Sequence, residues 1–215
     1  MLANEIRVFP AALNLRERAV LVIGGGQEAV SKVPKLLAAG ARVTIVAPQL
    51  DEPLARAART HQVRWFVRDF VPSDVLGAHM VMLTEQDRER ATELRALAQT
   101  ARFWLCAIDQ PEFSDFYLVS TLEQGPVQIA ISTGGAAPLL ARRIRQGLER
   151  ALDARFGEFA RSFAQLRARL RPLPKVERTQ LLERALAGFA MEVSLRYPEP
   201  DGQGAAYPPD QARDE

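Results

Sequence analysis

The stretch AVLVIGGGQEAVSK, residues 19–32, decides how the chain is read. An apolar run from Ala19 to Ile23 stops at three glycines, and an amphipathic run begins directly after them. A strand is expected to pass through a tight turn into a helix. Gly24, Gly26 and Ala29 fit G-x-G-x-x-A in that context: the first glycine permits the turn, the second lets backbone approach a diphosphate, and the small third residue lets helix pack closely on sheet. The diphosphate of a dinucleotide would face the helix N-terminus, at Gln27 and Glu28, where unpaired amides and the positive dipole end attract anions. Ala47, Pro48 and Gln49 complete the expected cofactor-binding set, because they follow the second apolar run, where an acidic residue commonly accepts the ribose hydroxyl. Asp51 lies a little further on, and no arginine directly follows that run to hold a 2′-phosphate. The residues alone leave NAD and NADP open.

Outward from this turn, apolar runs alternate with segments of helical period as far as Ile108, the pattern of βαβ units and a parallel sheet. The expected strands are Ala19–Ile23, Val43–Ala47, Val63–Val67, His79–Leu83 and Phe103–Ile108. The fold class is therefore α/β, a Rossmann-like parallel sheet domain followed by a dimerisation region and a small helical domain. A helix is expected from about Glu28 to Ala39, with Val30, Val33, Leu36 and Leu37 turned inward and Gly40 as its stop. Pro34 conflicts with it, since an interior proline removes a hydrogen bond and costs about 3 kcal/mol, unless the helix kinks or starts later.

Beyond Asp109 the rhythm changes. FYLVS (116–120) and VQIAIS (127–132) predict two further strands separated by six residues that include Gly125 and Pro126. A helix from about Ala137 to Leu152 follows, with Pro138 in its first turn. Phe156, Phe159, Phe163, Leu166 and Leu170 mark an amphipathic helix ended by Pro172 and Pro174, its phenylalanines expected as core or dimer contacts, and Val176–Leu195 is read as a last helix. The expected divisions are 1–112 for nucleotide binding, 113–152 for dimerisation, 153–197 for the helical domain and 198–215 for a disordered tail.

Composition narrows the function classes. The 215 residues are 47% hydrophobic and 25% charged, with a net charge of +2. No apolar run approaches the roughly 18–20 residues of a membrane span, and no secretory signal pattern opens the chain, so a cytoplasmic protein without membrane partners is expected. One cysteine, Cys106, and two histidines, His61 and His79, lack the spacing of a zinc site, and the charge is too small to argue for nucleic acid. No resident metal is expected.

Asp109 directly follows the last parallel strand, where open α/β sheets bind ligands, and a carboxylate there could act as a general base. The competing reading is a turn-forming or capping aspartate before Gln110-Pro111. Ser132, Thr133 and Gly134 precede a helix; their hydroxyls could cap it, and their glycine amides could receive a carboxylate. Arg142, Arg143, Arg145 and Arg150 on the next helix are cations of the kind carboxylates select, or simply a solvated face.

FPAALNLRERAVLVIGGGQEAVSK, AGARVTIVAPQ, AIDQPEFSDF and ISTGGAAPLLARRIRQGLE, in this order and spacing, resemble the precorrin-2 dehydrogenase / sirohydrochlorin ferrochelatase (siroheme synthase) family over roughly residues 8–195. The resemblance implies NAD as cofactor, a homodimer, and oxidation of the tetrapyrrole precorrin-2 to sirohydrochlorin in siroheme or cobalamin biosynthesis, with insertion of ferrous iron by some members. It points to Asp109 as the catalytic residue, and Ser132, Thr133 and Gly134 fall in its substrate-side loop. Larger fused members add a methyltransferase domain, for which this chain is expected to have no room. A second reading of the same residues is a dinucleotide-binding regulatory or sensor dimer without catalysis.

Overall fold

The computed structural model describes residues 8–197. The tail expected at 198–215 lies outside the described residues. The described residues divide into two compact units, one ending at Gly157 and the other starting at Glu158.

In the first unit, β1 (Ala19–Ile23), β2 (Arg42–Val46), β3 (Arg64–Phe66), β4 (Met80–Leu83) and β5 (Trp104–Ala107) form one sheet in the order β3-β2-β1-β4-β5. All four pairings are parallel. Helices α1 (Gln27–Ala38), α2 (Glu52–Arg59) and α3 (Arg88–Ala101) form three of the crossovers, and the one from β3 to β4 runs through a short 3-10 turn, Pro72–Val75. Side-chain alternation divides the core between the two faces of the sheet. Val20, Val22, Val43, Ile45, Met80 and Met82 pack with Ala29, Val33 and Leu36 of α1 and Leu54 of α2. Leu21, Ile23, Val81, Leu83 and Leu105 pack with Ala91, Leu94 and Ala98 of α3 on the other. The chain is thus wound both ways from β1, and the crevice between the ends of β1 and β4 is the topological switch point of the Rossmann-like α/β fold.

α1 begins at Gln27, earlier than the proline would favour, and continues past Pro34 to Ala38. Pro34 lies on the exposed face, so water can reach the carbonyl whose bond it removes, and α1 gains its stability from the Ala29–Val33–Leu36 stripe instead. Its end is closed by the paired bonds of a Schellman motif, Ala41 N–H to Leu36 O and Gly40 N–H to Leu37 O. Pro34→Ala is expected to stabilise the fold by about 2 kcal/mol, the helix-propensity gain less the added freedom of the unfolded chain, read as a higher urea midpoint.

Two expectations need correction. Phe116–Val119 is not a strand; β6 is Ser120–Gln124, paired antiparallel with β7 (Val127–Ile131). The Gln124↔Val127 pairing leaves Gly125-Pro126 as a two-residue turn, and Gly125 takes φ +60°, the left-handed value wanted at the first central position of a II′ hairpin. That turn fixes the register and moves the strand towards it. α4 (Pro138–Ala151) packs on β6, with Leu122 and Ala141 buried. α5 (Ala154–Arg169) follows as expected, but α6 (Lys175–Ala185) ends well before Leu195, where Gly188 breaks the helical run. In the second unit the Phe159 ring stacks on Phe163 and, at 5.3 Å between centroids, on Phe189. This contact accounts for part of the phenylalanine stripe as packing within the unit.

Candidate functional site

The glycine turn is shaped by close approach. Gly24 follows β1 with φ +107°, donates to the Val46 carbonyl at 3.0 Å, and would set a Cβ 2.4 Å from Thr84 Oγ1, across the switch point. A Cβ on Gly25 would stand 2.1 Å from the Gln49 carbonyl oxygen. Gly25 was not singled out by the fingerprint, in which it is the variable position; the contact that requires it comes from a loop more than twenty residues away. Gly26 is the N-cap of α1, makes no side-chain cap, and has nothing within 4 Å of its Cβ position.

This arrangement fits a dinucleotide: a glycine bend pressed on the β2 loop, and beside it an open, uncapped helix start at Gln27 and Glu28. Ala47 is buried, its carbonyl accepting from Trp65 Nε1 at 2.9 Å, whereas Pro48 and Gln49 are exposed. Asp51 stands at the N-cap position of α2 without a side-chain cap; its carboxylate accepts from Gln27 Nε2 at 2.7 Å, and its amide donates to Gly25 O. An acidic group therefore does reach the glycine turn, though not from the position directly after β2.

Asp109 ends β5 in the turn Ala107–Gln110, closed by Gln110 N–H to Ala107 O at 3.2 Å. Its φ of +59° is left-handed, a conformation aspartate tolerates better than most residues and one that recurs at functional sites. The carboxylate is exposed and accepts from Gln86 Nε2 at 3.2 Å. Gln86, in the loop after β4, carried no signal in the sequence.

Asp109 opens on a cleft of about 550 Å³. Glu28 and Lys32 of α1, Tyr117–Ser120, Ser132, Thr133 and Gly135 line the same space. Of the expected residues, Asp109, Glu28, Ser132 and Thr133 therefore share one cleft. Gly24, Gly26, Gln27, Ala47, Pro48, Gln49 and Gly134 do not line it. Thr133 Oγ1 accepts from Ala137 N–H at 3.1 Å and Ser132 Oγ from Gly134 N–H at 3.2 Å, so both hydroxyls shape the loop before α4 rather than bonding the first amides within the helix. Cys106, also in the lining, is buried, and burial pushes its thiol up to about 11 against the pull of Lys32; it stays protonated at neutral pH. Among the described residues no three His, Cys, Asp or Glu side chains gather as a metal cage, and no helix is long and apolar enough to cross a membrane.

The connector between the sheet and the β6–β7 hairpin is bonded into place. Ser114 Oγ accepts from Ala107 N–H and donates to Ala107 O, while Asp115 accepts from Leu105 N–H and pairs with Arg95.

A family profile described as NAD(P)-binding matches residues 11–120, and one described as sirohaem biosynthesis protein central matches residues 124–151. The chain belongs to the NAD(P)-binding family. Its sequence is similar to curated siroheme synthases. Siroheme synthase of Methylococcus capsulatus is 34% identical over 191 residues, covering 87% of this chain and 40% of that protein. Siroheme synthase of Gluconacetobacter diazotrophicus is 39% identical over 164 residues, covering 74% and 35%. The chain thus spans two fifths or less of the length of these curated relatives. A solved structure of SirC, a precorrin-2 dehydrogenase, superposes with a TM-score of 0.70 at 23% identity, over 82% of this chain and 88% of that one, which shows a shared fold. NAD is the cofactor that the matched domain and the glycine turn fit.

Proposed function

We propose that the chain is an NAD-dependent precorrin-2 dehydrogenase, producing sirohydrochlorin in siroheme or cobalamin biosynthesis. The observation that carries this reading is the single cleft bringing the left-handed Asp109 turn opposite the Ser132–Thr133 loop, at the carboxyl end of the sheet. Gly24 and Gly26, with the amides of Gln27 and Glu28, hold the dinucleotide diphosphate, and the Ala47–Gln49 loop with Asp51 borders its ribose. NAD, when bound, accepts the hydride.

The chain supplies the rest. Oxidation removes two electrons with the hydride and one proton, which the Asp109 carboxylate takes as general base. Gln86, donating to Oδ2, holds that carboxylate in one orientation. Ser132, Thr133 and Gly135 border the substrate on the opposite side of the cleft. Ferrous iron is a second substrate of the same cleft, Asp109 receiving pyrrole protons as the metal enters.

The functional form is a cytoplasmic homodimer. Leu139, Leu140 and Ile144 of α4 are 78%, 56% and 42% exposed, an apolar stripe suited to a self-complementary contact. The deciding experiment is anaerobic: purified protein with NAD⁺ and precorrin-2 should generate NADH and the sirohydrochlorin spectrum, and added Fe²⁺ should then give siroheme. Nucleotide binding without turnover would instead favour a sensor role.

A further inference from the structure

The cleft lining, among the described residues, holds two carboxylates, Glu28 and Asp109, and one cation, Lys32. Lys32 stands one helical turn after Glu28 on α1, with Nζ 3.3 Å from Glu28 Oε2. The side chains are 25% and 50% exposed, so the lysine is the more enclosed of the two. A helical i,i+4 pair of this kind is worth only about 0.3–0.5 kcal/mol. Glu28 is therefore a partner that another carboxylate can displace. Among the described residues Glu28 is the carboxylate paired with the ammonium, and Cys106, within its field on the strand side, remains a neutral thiol. Asp109 is engaged by Gln86.

A ligand bearing several carboxylates meets unfavourable charge in such a cleft unless the cation is released to it. We propose that Lys32 is a substrate-positioning residue, exchanging Glu28 for a peripheral carboxylate of the bound tetrapyrrole. Glu28 is the resident counter-ion that keeps the ammonium in the cleft until that exchange. Lys32 binds the periphery of the macrocycle and leaves proton transfer to Asp109, so its effect falls on affinity. The assignment rests on the tetrapyrrole reading of the cleft, and it commits to recognition by charge: a tetrapyrrole with esterified carboxylates loses this contact.

The test uses the full chain and two readouts. Sirohydrochlorin is titrated without nucleotide, and precorrin-2 turnover is measured with NAD⁺. Lys32→Met should raise the Kd for sirohydrochlorin and the KM for precorrin-2 about ten-fold, the order of one charge-assisted hydrogen bond, while kcat and the KM for NAD⁺ stay within about two-fold. Lys32→Arg should recover most of the loss, and Glu28→Gln should tighten sirohydrochlorin binding by freeing the ammonium. Unchanged sirohydrochlorin affinity in Lys32→Met overturns the proposal, as does a shift confined to the KM for NAD⁺ or a Lys32→Arg variant as weak as Lys32→Met. Failure of the wild-type chain to bind sirohydrochlorin also overturns it. Binding that depends on Lys32 without any precorrin-2 oxidation would leave this assignment standing and remove the dehydrogenase reading alone.

Discussion

Asp109→Asn is expected to lower precorrin-2 oxidation by about 10²–10⁴-fold, the contribution of a well-placed general base, with NAD⁺ affinity unchanged. Asparagine is the informative replacement. Like aspartate it accepts the left-handed backbone at φ +59°, so the turn after β5 is kept while the basic oxygen is lost. Asp109→Ala removes both and adds a backbone penalty of about 1–2 kcal/mol. Equal rate loss in the two variants assigns the effect to the proton. A rate loss in alanine alone, accompanied by a lower Tm, would make Asp109 a turn-forming residue and withdraw it from the chemistry. NADH absorbance and a thermal melt on each variant separate the cases.

The second large effect concerns the glycines. Gly25→Ala places a methyl 2.1 Å from the Gln49 carbonyl oxygen, which is backbone and cannot swing aside. The glycine turn and the β2 loop must separate, at a cost of about 1–3 kcal/mol, and NAD⁺ binding should be lost with them. Gly26→Ala meets nothing within 4 Å, so the fold should lose less than about 1 kcal/mol, the scale of an N-cap change. Its NAD⁺ affinity should nevertheless fall at least about ten-fold, because the second fingerprint glycine is the point of closest approach to the diphosphate. Calorimetric titration and urea unfolding check the pair. Wild-type NAD⁺ affinity in Gly26→Ala would move the diphosphate elsewhere.

The parallel sheet was legible because its signals are local and repeated. Apolar runs such as Val20–Ile23 and Met80–Leu83 are buried on both faces, and the stop of α1 at Gly40 follows from one residue's chemistry. The β6 strand was misplaced because Phe116–Val119 is more apolar than Ser120–Gln124, while the register is set by the Gly125-Pro126 turn, whose two-residue length outweighs side-chain content. Pro34 shows a different limit: propensity argued against the helix, and packing of Val33 and Leu36 prevailed. In the site, the spacing of Gly24, Gly26 and Ala29 was readable, but Gly25 was not, since its constraint is a carbonyl on another loop. Gln86 and Lys32 were invisible for the same reason: each matters through what the folded chain sets beside it.

The side chains of Ser114 and Asp115 do for β5 what a sixth strand would do. They occupy the outward amides of Ala107 and Leu105, and the Asp115 amide returns a bond to Leu105 O at 2.7 Å. An edge strand closed in this way offers no template for edge-to-edge aggregation. It also ties one corner of the cleft to the sheet, so that a hinge at the connector would have to break these bonds.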